Sequence, residues 1–503
     1  MMKTTVARVF DFLNLWNQNA NCFFNHELCD MAKIVFLQNL WFKFLGPMYI
    51  SAALKNAGHD CELFIGNDAS DFLPLLKEHK PAIIAFSVMT GMHAWVLETA
   101  ARLKKELRCL IVLGGPHPTF FPEVIENQGI DIICRGEGEA AMVELADALS
   151  ASRDFSSICN LWVKDADKQI IRNDVRPLLQ DLDTLAFTDQ KLYSRYPALQ
   201  DEPVHVMISS RGCPFNCSFC FNHQMAELYR GKGRYVRHRS VTCVLDEIAE
   251  VTATGAIDRI YFADDTFSLD KTWLKDFLPA YGRRFRIPFH CLVRINQIDN
   301  ELAGLLRENG CETVFFGIES GDEAIRNGMI NKVISDEDIL RGAAILKKHG
   351  ITFRTYNILG FPGETFEQAM KTVSINIAIG TDFPWCSLFM PYPGTRLADY
   401  ALQQGYLSGE LTPDTMATSF HITSMLENPD RNRLINLHKF FQTAVLFPSL
   451  VPLIKQLVKI PPNSLFQLWF GFVYFFLYVG SEGRGWAWAI RSALKNRQFF
   501  GKK

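Results

Sequence analysis

Between residues 31 and 160, short apolar runs alternate with stretches whose apolar positions recur every three to four residues. The runs Ile34–Gln38, Cys61–Ile65, Ala82–Ser87, Leu110–Leu113 and Asp131–Cys134 have strand length. The stretches Pro47–Ala57, Asp71–Glu78, His93–Glu106, Pro122–Asn127 and Glu139–Leu149 have the period and length of helices. Five β-α units with strands apolar on both faces predict a parallel sheet between two helix layers, a doubly wound Rossmann-like domain. Ligands on such sheets sit outside the carboxyl ends of the strands. That directs attention to Ser87, Thr90, Gly114, Gly115, His117, Gly136 and Gly138, which stand in the loops 87–91, 114–119 and 135–138. Glycines there let backbone approach a ligand closely.

A second β-α series follows. Its strands are expected at His205–Ser209, Ile257–Phe262, Phe289–Val293, Thr313–Gly317, Phe353–Ile358 and Trp385–Met390. Six repeats predict a partial α/β barrel, with function at the strand carboxyl ends. The chain thus divides into an extension (1–30), the doubly wound domain (31–160), a connector with a small hairpin (161–202), the barrel (203–407) and a mainly helical, aromatic-rich region (408–503). In that last region Leu465–Gly480 is almost wholly apolar, yet shorter than the roughly 20 residues of a spanning helix.

Composition narrows the class. The 503 residues carry 52 Lys and Arg against 54 Asp and Glu, which gives no broad basic surface for nucleic acid. The start shows no basic stretch leading into an apolar signal core. With 13 Cys, an odd number, the expectation is reduced thiols in the cytoplasm, or metal ligands, and not a disulfide framework.

The strongest chemical signal is Arg211-Gly-Cys213-Pro-Phe-Asn-Cys217-Ser-Phe-Cys220, on a loop directly after a predicted strand. Three thiolates at this spacing can hold three corners of an iron–sulfur cube and leave the fourth iron open for chemistry. The alternative, a zinc knuckle, would need a fourth ligand, and His223 is badly placed for a paired-Cys site. No G-x-G-x-x-G occurs, which weakens a dinucleotide reading of the first domain. The remaining Cys, from Cys22 and Cys29 to Cys386, show no second ligand spacing and read as small buried hydrophobes.

The Cys loop and the strand ends that follow it resemble the radical S-adenosylmethionine (SAM) enzymes. The resemblance runs over about 203–400 and includes Phe262-Ala-Asp264-Asp265-Thr, Phe316-Gly-Ile-Glu319-Ser320-Gly and Leu359-Gly360-Phe-Pro-Gly363-Glu. It implies that Cys213, Cys217 and Cys220 bind a [4Fe–4S] cluster that reductively cleaves SAM to a 5′-deoxyadenosyl radical. It implies SAM contacts from Asp264, Asp265, Glu319, Ser320, Arg354, Gly360 and Gly363. Ala-Asp-Asp replaces the more usual Gly-Gly-Glu, so the amine contact stays open between Asp264, Asp265 and Glu319. Each also has a plain alternative: the aspartates as helix caps, Glu319 as a salt-bridge partner, Arg354 as a snorkelling side chain.

The doubly wound domain ahead of the barrel resembles that of the cobalamin-binding radical SAM subgroup, through Leu45-Gly-Pro-Met48 and the three Gly-bearing loops. This implies a cobalamin held by Ser87, Thr90, Gly114, Gly115, His117, Gly136 and Gly138. The Asp-x-His-x-x-Gly source of a lower axial His is missing; the loop after the first strand reads Asn39-Leu-Trp-Phe-Lys43. His117 is the one substitute, against the plainer reading of a loop-capping His. The resemblance implies methylation of an unactivated carbon through methylcobalamin. The alternatives are an oxidative cyclase of the anaerobic magnesium-protoporphyrin IX monomethyl ester type and, in another class, a methylthiotransferase. It also implies a small-molecule substrate and a flavodoxin or ferredoxin as electron donor. The aromatic tail is open between a helical cap, which is the commonest outcome for such a stretch, a wall for a large apolar substrate and a membrane-surface contact, which Lys455, Lys459, Arg484, Arg491, Lys495 and Arg497 flanking the apolar run keep open.

Overall fold

In the computed structural model, residues 31–482 and 490 are described, except 201, 256, 417, 418 and 420. The extension 1–30 and Arg484, Arg491, Lys495 and Arg497 lie outside the described residues. The chain forms two compact units. One holds the residues up to 200 together with 228–233, and the other holds 202–227 and the chain from 234 onward.

The first unit is a seven-stranded sheet in the order β2-β1-β3-β4-β5-β6-β7. β1 (Lys33–Gln38), β2 (Asp60–Ile65), β3 (Ile83–Ser87), β4 (Leu110–Gly114) and β5 (Ile132–Cys134) are parallel. Their Val, Ile, Leu and Phe side chains are buried on both faces under the helices Leu45–Asn56, Ala69–His79, His93–Glu106 and Glu139–Ser150. Two details differ from the sequence expectation. Pro122–Glu126 is a 3₁₀ turn and not an α-helix, in keeping with its Pro start and five-residue length. The connector's hairpin, β6 (Leu161–Lys164) and β7 (Ile170–Arg172), continues the sheet antiparallel to β5, so the sheet is mixed. The strand order reverses between β1 and β3, and the crevice at such a switch point is where doubly wound sheets take ligands.

The second unit is a six-stranded parallel sheet taken in chain order: β8 (Val204–Met207), β11 (Arg259–Phe262), β12 (Phe289–Leu292), β13 (Cys311–Glu319), β14 (Thr352–Leu359) and β15 (Phe383–Leu388). β8 and β15 are not paired to each other, so the barrel is partial. A small ribbon of β9 (Ser210–Arg211) and β10 (Arg237–His238) flanks the Cys loop. Phe262, Phe289, Phe316 and Phe353 pack outward under the helices. The opposite parity, with Tyr261, His290, Phe315, Arg354, Tyr356 and Trp385, faces the interior. The helix Arg431–Leu446 packs on β15, and Ser464–Glu482 forms one helix against it. No helix among the described residues is long and apolar enough to cross a membrane.

Candidate functional site

The Cys loop leaves β9 through Gly212, whose φ of 91° is left-handed; a Cβ there would lie 2.5 Å from the Tyr235 carbonyl oxygen. Only glycine turns the chain so tightly at this point. Cys213, Cys217 and Cys220 are all partly exposed and free of disulfides. Loss of water around them raises the Cys213 thiol and pushes Cys220 up to about 11, so a metal must displace a proton from each. Polar side chains surround the sulfurs. The Thr266 hydroxyl lies 3.8 Å from Cys213 Sγ, the Asn222 amide 3.7 Å from Cys220 Sγ, and Tyr235 donates to Asn222 Oδ1 at 2.7 Å. Arg294, just past the end of β12, lies close enough to Cys217 to act on it electrostatically and stacks 3.8 Å over the Phe215 ring.

Among the described residues no group of three His, Cys, Asp or Glu is close enough to share one metal ion. A cube asks for something else: each thiolate holds a different iron, so the sulfurs stand further apart. Three cysteines on a short glycine-hinged loop, with side-chain donors around them, fit that group.

The three carboxylates left open for the SAM amine fall into different settings. Asp264 is fully buried. It accepts from the Ser209 amide at 3.0 Å, the Ser209 hydroxyl at 2.9 Å and the Ser210 hydroxyl. Burial raises its carboxyl above the usual range, and these donors pull it back. Its place is to pin the two residues that lead into the Cys loop. Asp265 is exposed and lies close enough to Cys213 and Cys220 to act on both electrostatically. Glu319 ends β13 at φ 65°, in the left-handed region and beside an irregularity in the ladder. Its carboxylate meets Lys332 Nζ at 2.7 Å, and the pair is nearly buried. A Cβ on Gly317 would overlap both ends of that ion pair. A strained non-glycine residue at a strand end, over-determined by its neighbours, marks a working position.

Other SAM candidates are placed less uniformly. Ser320 is buried; its hydroxyl accepts from the Asp322 amide and its carbonyl from Arg326. Arg354 lies near the start of β14 and not at its carboxyl end, sandwiched inside the barrel between Phe315 (4.3 Å) and Trp385 (5.0 Å). At about 3.3 Å per residue, five residues separate it from Leu359 by roughly 16 Å. Its depth suits a substrate contact low in the barrel better than the SAM carboxylate. Gly360 and Gly363 are both left-handed, and the turn is closed by Glu364, which accepts from the Gly360 amide at 2.5 Å and the Phe361 amide at 3.2 Å. Full burial raises Glu364 to about 8.

The structure adds Lys332 and Arg294, which the sequence did not single out. Arg294 also donates to the Lys332 carbonyl, so the Cys loop, β12 and the Glu319–Lys332 pair are joined. Neither residue belongs to a local motif; only the turn of the chain after β13 brings them in.

In the first unit the predicted loops converge on the ends of neighbouring strands β3, β4 and β5. Gly115, at φ 93°, has the Val88 amide nitrogen 2.9 Å from where a Cβ would stand, with the Ser87 hydroxyl beside it. Gly136 accepts no Cβ because the Tyr229 ring fills that space, and Tyr229 Oη accepts from the Glu137 amide at 2.9 Å. Gly138 closes against Cys134 and Ile50. By contrast, Gly91 has no atom within 4 Å of an added Cβ, and Gly114 nothing nearer than 3.9 Å. Gly91, after β3, is thus the open glycine of these loops, while Gly114 and Gly115 bring the backbone of β4 close to its neighbours. His117 is buried, with Nδ1 3.2 Å from the Thr90 hydroxyl and its ring stacked on His93 at 4.4 Å. Nδ1 of His117 is thus engaged within its own loop.

The remaining cysteines match the bland reading in the main: Cys61, Cys134, Cys291, Cys311 and Cys386 are buried, and Cys159 is exposed. Cys386 packs on the helix side of β15 and not toward the barrel interior.

Comparison with known proteins agrees with this geometry. The model of the radical SAM superfamily matches residues 207–374, and that of the B12 binding domain matches 43–146. An uncharacterized methyltransferase of Pyrococcus horikoshii is 33% identical over 376 residues, 72% of this chain and 79% of the relative. The anaerobic magnesium-protoporphyrin IX monomethyl ester cyclase of Synechocystis sp. is 29% identical over 61% of this chain and 62% of its own length. The radical SAM methyltransferase TsrM of Kitasatospora setae, solved with cobalamin and a [4Fe–4S] cluster bound, shares the fold with a TM-score of 0.60. It is 18% identical over 74% of this chain and 75% of its own.

A partial barrel with a three-Cys loop, preceded by a doubly wound domain with open glycine loops, defines a radical SAM enzyme of the B12-binding class. The chain belongs to the cobalamin-dependent radical SAM methyltransferase family, with a [4Fe–4S] cluster, SAM and cobalamin as its cofactors.

Removing the Asp264 carboxylate tests the pinning role. Asp264→Ala leaves buried donors on Ser209 and Ser210 unpaired, at about 2–4 kcal/mol. We expect cluster content after anaerobic reconstitution to fall at least fivefold, while Asp264→Asn, which keeps the accepting oxygen, retains most of it. Iron and sulfide analysis of the two variants checks this.

Proposed function

We propose that this enzyme methylates an unactivated carbon of a small molecule with a large apolar body. The observation that carries the reading is an anchored Cys213–Cys220 loop on a partial barrel, in one chain with a doubly wound domain whose left-handed Gly91 and Gly115 stand just after β3 and β4. When bound, the cluster and SAM supply radical hydrogen abstraction and the cobalamin supplies the methyl group. Cys213, Cys217 and Cys220 hold the cluster, and Asp264 holds their loop in place. Asp265 and Glu319 are the carboxylates offered to the SAM amine, and Lys332 the cation available to its carboxylate. Gly360 and Gly363 let the backbone of the turn pass close to the adenine, with Glu364 fixing it. Ser87, Gly114 and Gly115 line the cobalamin side; His117 holds its loop through Thr90. Inside the barrel, Tyr261, Phe315, Tyr356 and Trp385 present an apolar wall, and Arg354 a single buried cation for a polar group of the substrate. A flavodoxin or ferredoxin in the cytoplasm would supply the electron.

The test is transfer of label. Reduced, reconstituted enzyme is given SAM with a deuterated methyl group and apolar candidate substrates. The reading requires 5′-deoxyadenosine and a product heavier by one labelled methyl. Cyclisation of a porphyrin ester without label incorporation would instead establish the cyclase alternative.

A further inference from the structure

The helix Ser464–Glu482 is apolar on the face it turns to solvent. Its inner face is held: Phe466 packs edge-on to Phe440, and Tyr474 lies 4.4 Å from Trp385 of the barrel interior; at the border of the two faces Trp469 Nε1 donates to Thr443 Oγ1 at 2.9 Å. The outer stripe consists of Leu465 (75% exposed), Leu468 (70%), Trp469, Phe472 (58%) and Phe476, at the spacing of one helix face. Of 17 large hydrophobics exposed among the described residues, ten lie between 447 and 490, so the apolar surface is concentrated here. Scattered exposed apolar residues need no explanation, but a stripe of this kind does.

Charge points to what covers it. Residues 431–503 carry 11 Lys and Arg against one acidic residue, Glu482, while the other 430 residues carry 41 against 53. A chain that is near neutral as a whole is therefore split into an acidic body and a region of net charge +10. Lys455 and Lys459 stand on the short stretch just ahead of the helix. An exposed stripe of Leu, Phe and Trp, in a part of the sequence with an excess of Lys and Arg and no acidic residue between 431 and Glu482, is complementary to an anionic bilayer surface. The aromatic rings seat at the headgroup level and the cations meet the lipid phosphates.

We propose that the helix Ser464–Glu482 docks this enzyme onto an anionic membrane surface, lying in the interface without crossing it. Through Tyr474 the same helix touches Trp385, so an apolar substrate drawn from the bilayer would meet the barrel wall beside it. The inference stands on the C-terminal region and not on the chemistry assigned to the cofactors.

The experiment is cosedimentation of the full-length protein with sucrose-loaded vesicles of phosphatidylcholine and phosphatidylglycerol at 3:1, and of phosphatidylcholine alone. Binding is expected to the anionic vesicles, to fall at least tenfold in Leu468→Glu/Phe472→Glu, and to weaken between 0.05 and 0.5 M salt, where the screening length shrinks to a few ångströms. The double variant's circular dichroism and its 5′-deoxyadenosine release from SAM in vesicle-free solution are expected to be unchanged, which shows that it folds. Equal partitioning of both proteins, or no binding to anionic vesicles, overturns the proposal. So does a dimer in light scattering that the same substitutions dissociate without any vesicle binding, since the stripe would then face a second copy of the chain.

Discussion

Replacing Cys213, Cys217 or Cys220 singly by Ala is expected to abolish SAM cleavage, with 5′-deoxyadenosine release reduced at least a thousandfold. As the proposed cluster ligands, the three thiolates would each hold a separate iron, and two protein ligands would not retain a cube with one iron left open. The loop itself should survive. Its turn depends on Gly212, and its approach depends on Asp264 and the ribbon with β10, none of which involves the sulfurs. Thermal unfolding of the metal-free variants is therefore expected to stay within about 1 kcal/mol of metal-free wild type, the range of a small side-chain truncation at a partly exposed site. Anaerobic reconstitution, iron analysis and chromatography of the nucleoside product measure both parts. Substitution at the exposed Cys159, which has no role in the site, is the control and should change neither.

The second large effect is on stability. Arg326 is completely buried within the π-helical turn Ala324–Met329. Its guanidinium donates to the Ile334 carbonyl at 2.7 Å, the Ser320 carbonyl at 3.0 Å and Asp336 Oδ1 at 2.5 Å. It thereby closes the excursion between β13 and the helix Asp336–Lys348, the stretch that carries Lys332 back to Glu319. Arg326→Ala strands two buried carbonyls and leaves a cavity, and is expected to cost about 3 kcal/mol. In a unit of this size that lowers the midpoint of thermal unfolding by roughly 6–12 °C. Arg326→Lys should recover less than half, because a point charge cannot reach three acceptors that a planar fork reaches at once. Differential scanning calorimetry of the three proteins decides it.

Much of the fold was legible in the sequence for a physical reason. Strands buried on both faces must be apolar throughout, as Ile83–Ser87 and Leu110–Gly114 are, and the helices between them carry a one-sided stripe. The Cys loop was legible because cluster ligation requires thiols at fixed spacing. What was not legible depends on partners distant in sequence. Asp264 and Asp265 are neighbours of identical chemistry, and only the fold turns one inward to Ser209 and leaves the other beside the sulfurs. Arg354 looked like a strand-end residue until the register of β14 with β13 and β15 placed it low in the barrel. Lys332 and Arg294 sit in no motif, and the hairpin of β6 and β7 gave no sign that it would join the first sheet. The position of the Gly-bearing loops at strand ends was legible, but not which glycines face protein, such as Gly136 against Tyr229, and which face open space, such as Gly91.

The central claim is that one chain holds a [4Fe–4S] cluster and a cobalamin without an axial His. The most direct measurement is low-temperature electron paramagnetic resonance of protein reconstituted with iron, sulfide and cobalamin, before and after dithionite, with and without SAM. We expect a reduced-cluster signal that changes on addition of SAM, together with a cob(II)alamin signal lacking nitrogen splitting, since His117 Nδ1 is engaged with Thr90 and its ring stacks on His93. A cluster signal with no protein-bound cobalamin, or a cobalt signal split by a nitrogen ligand that His117→Ala removes, would contradict it.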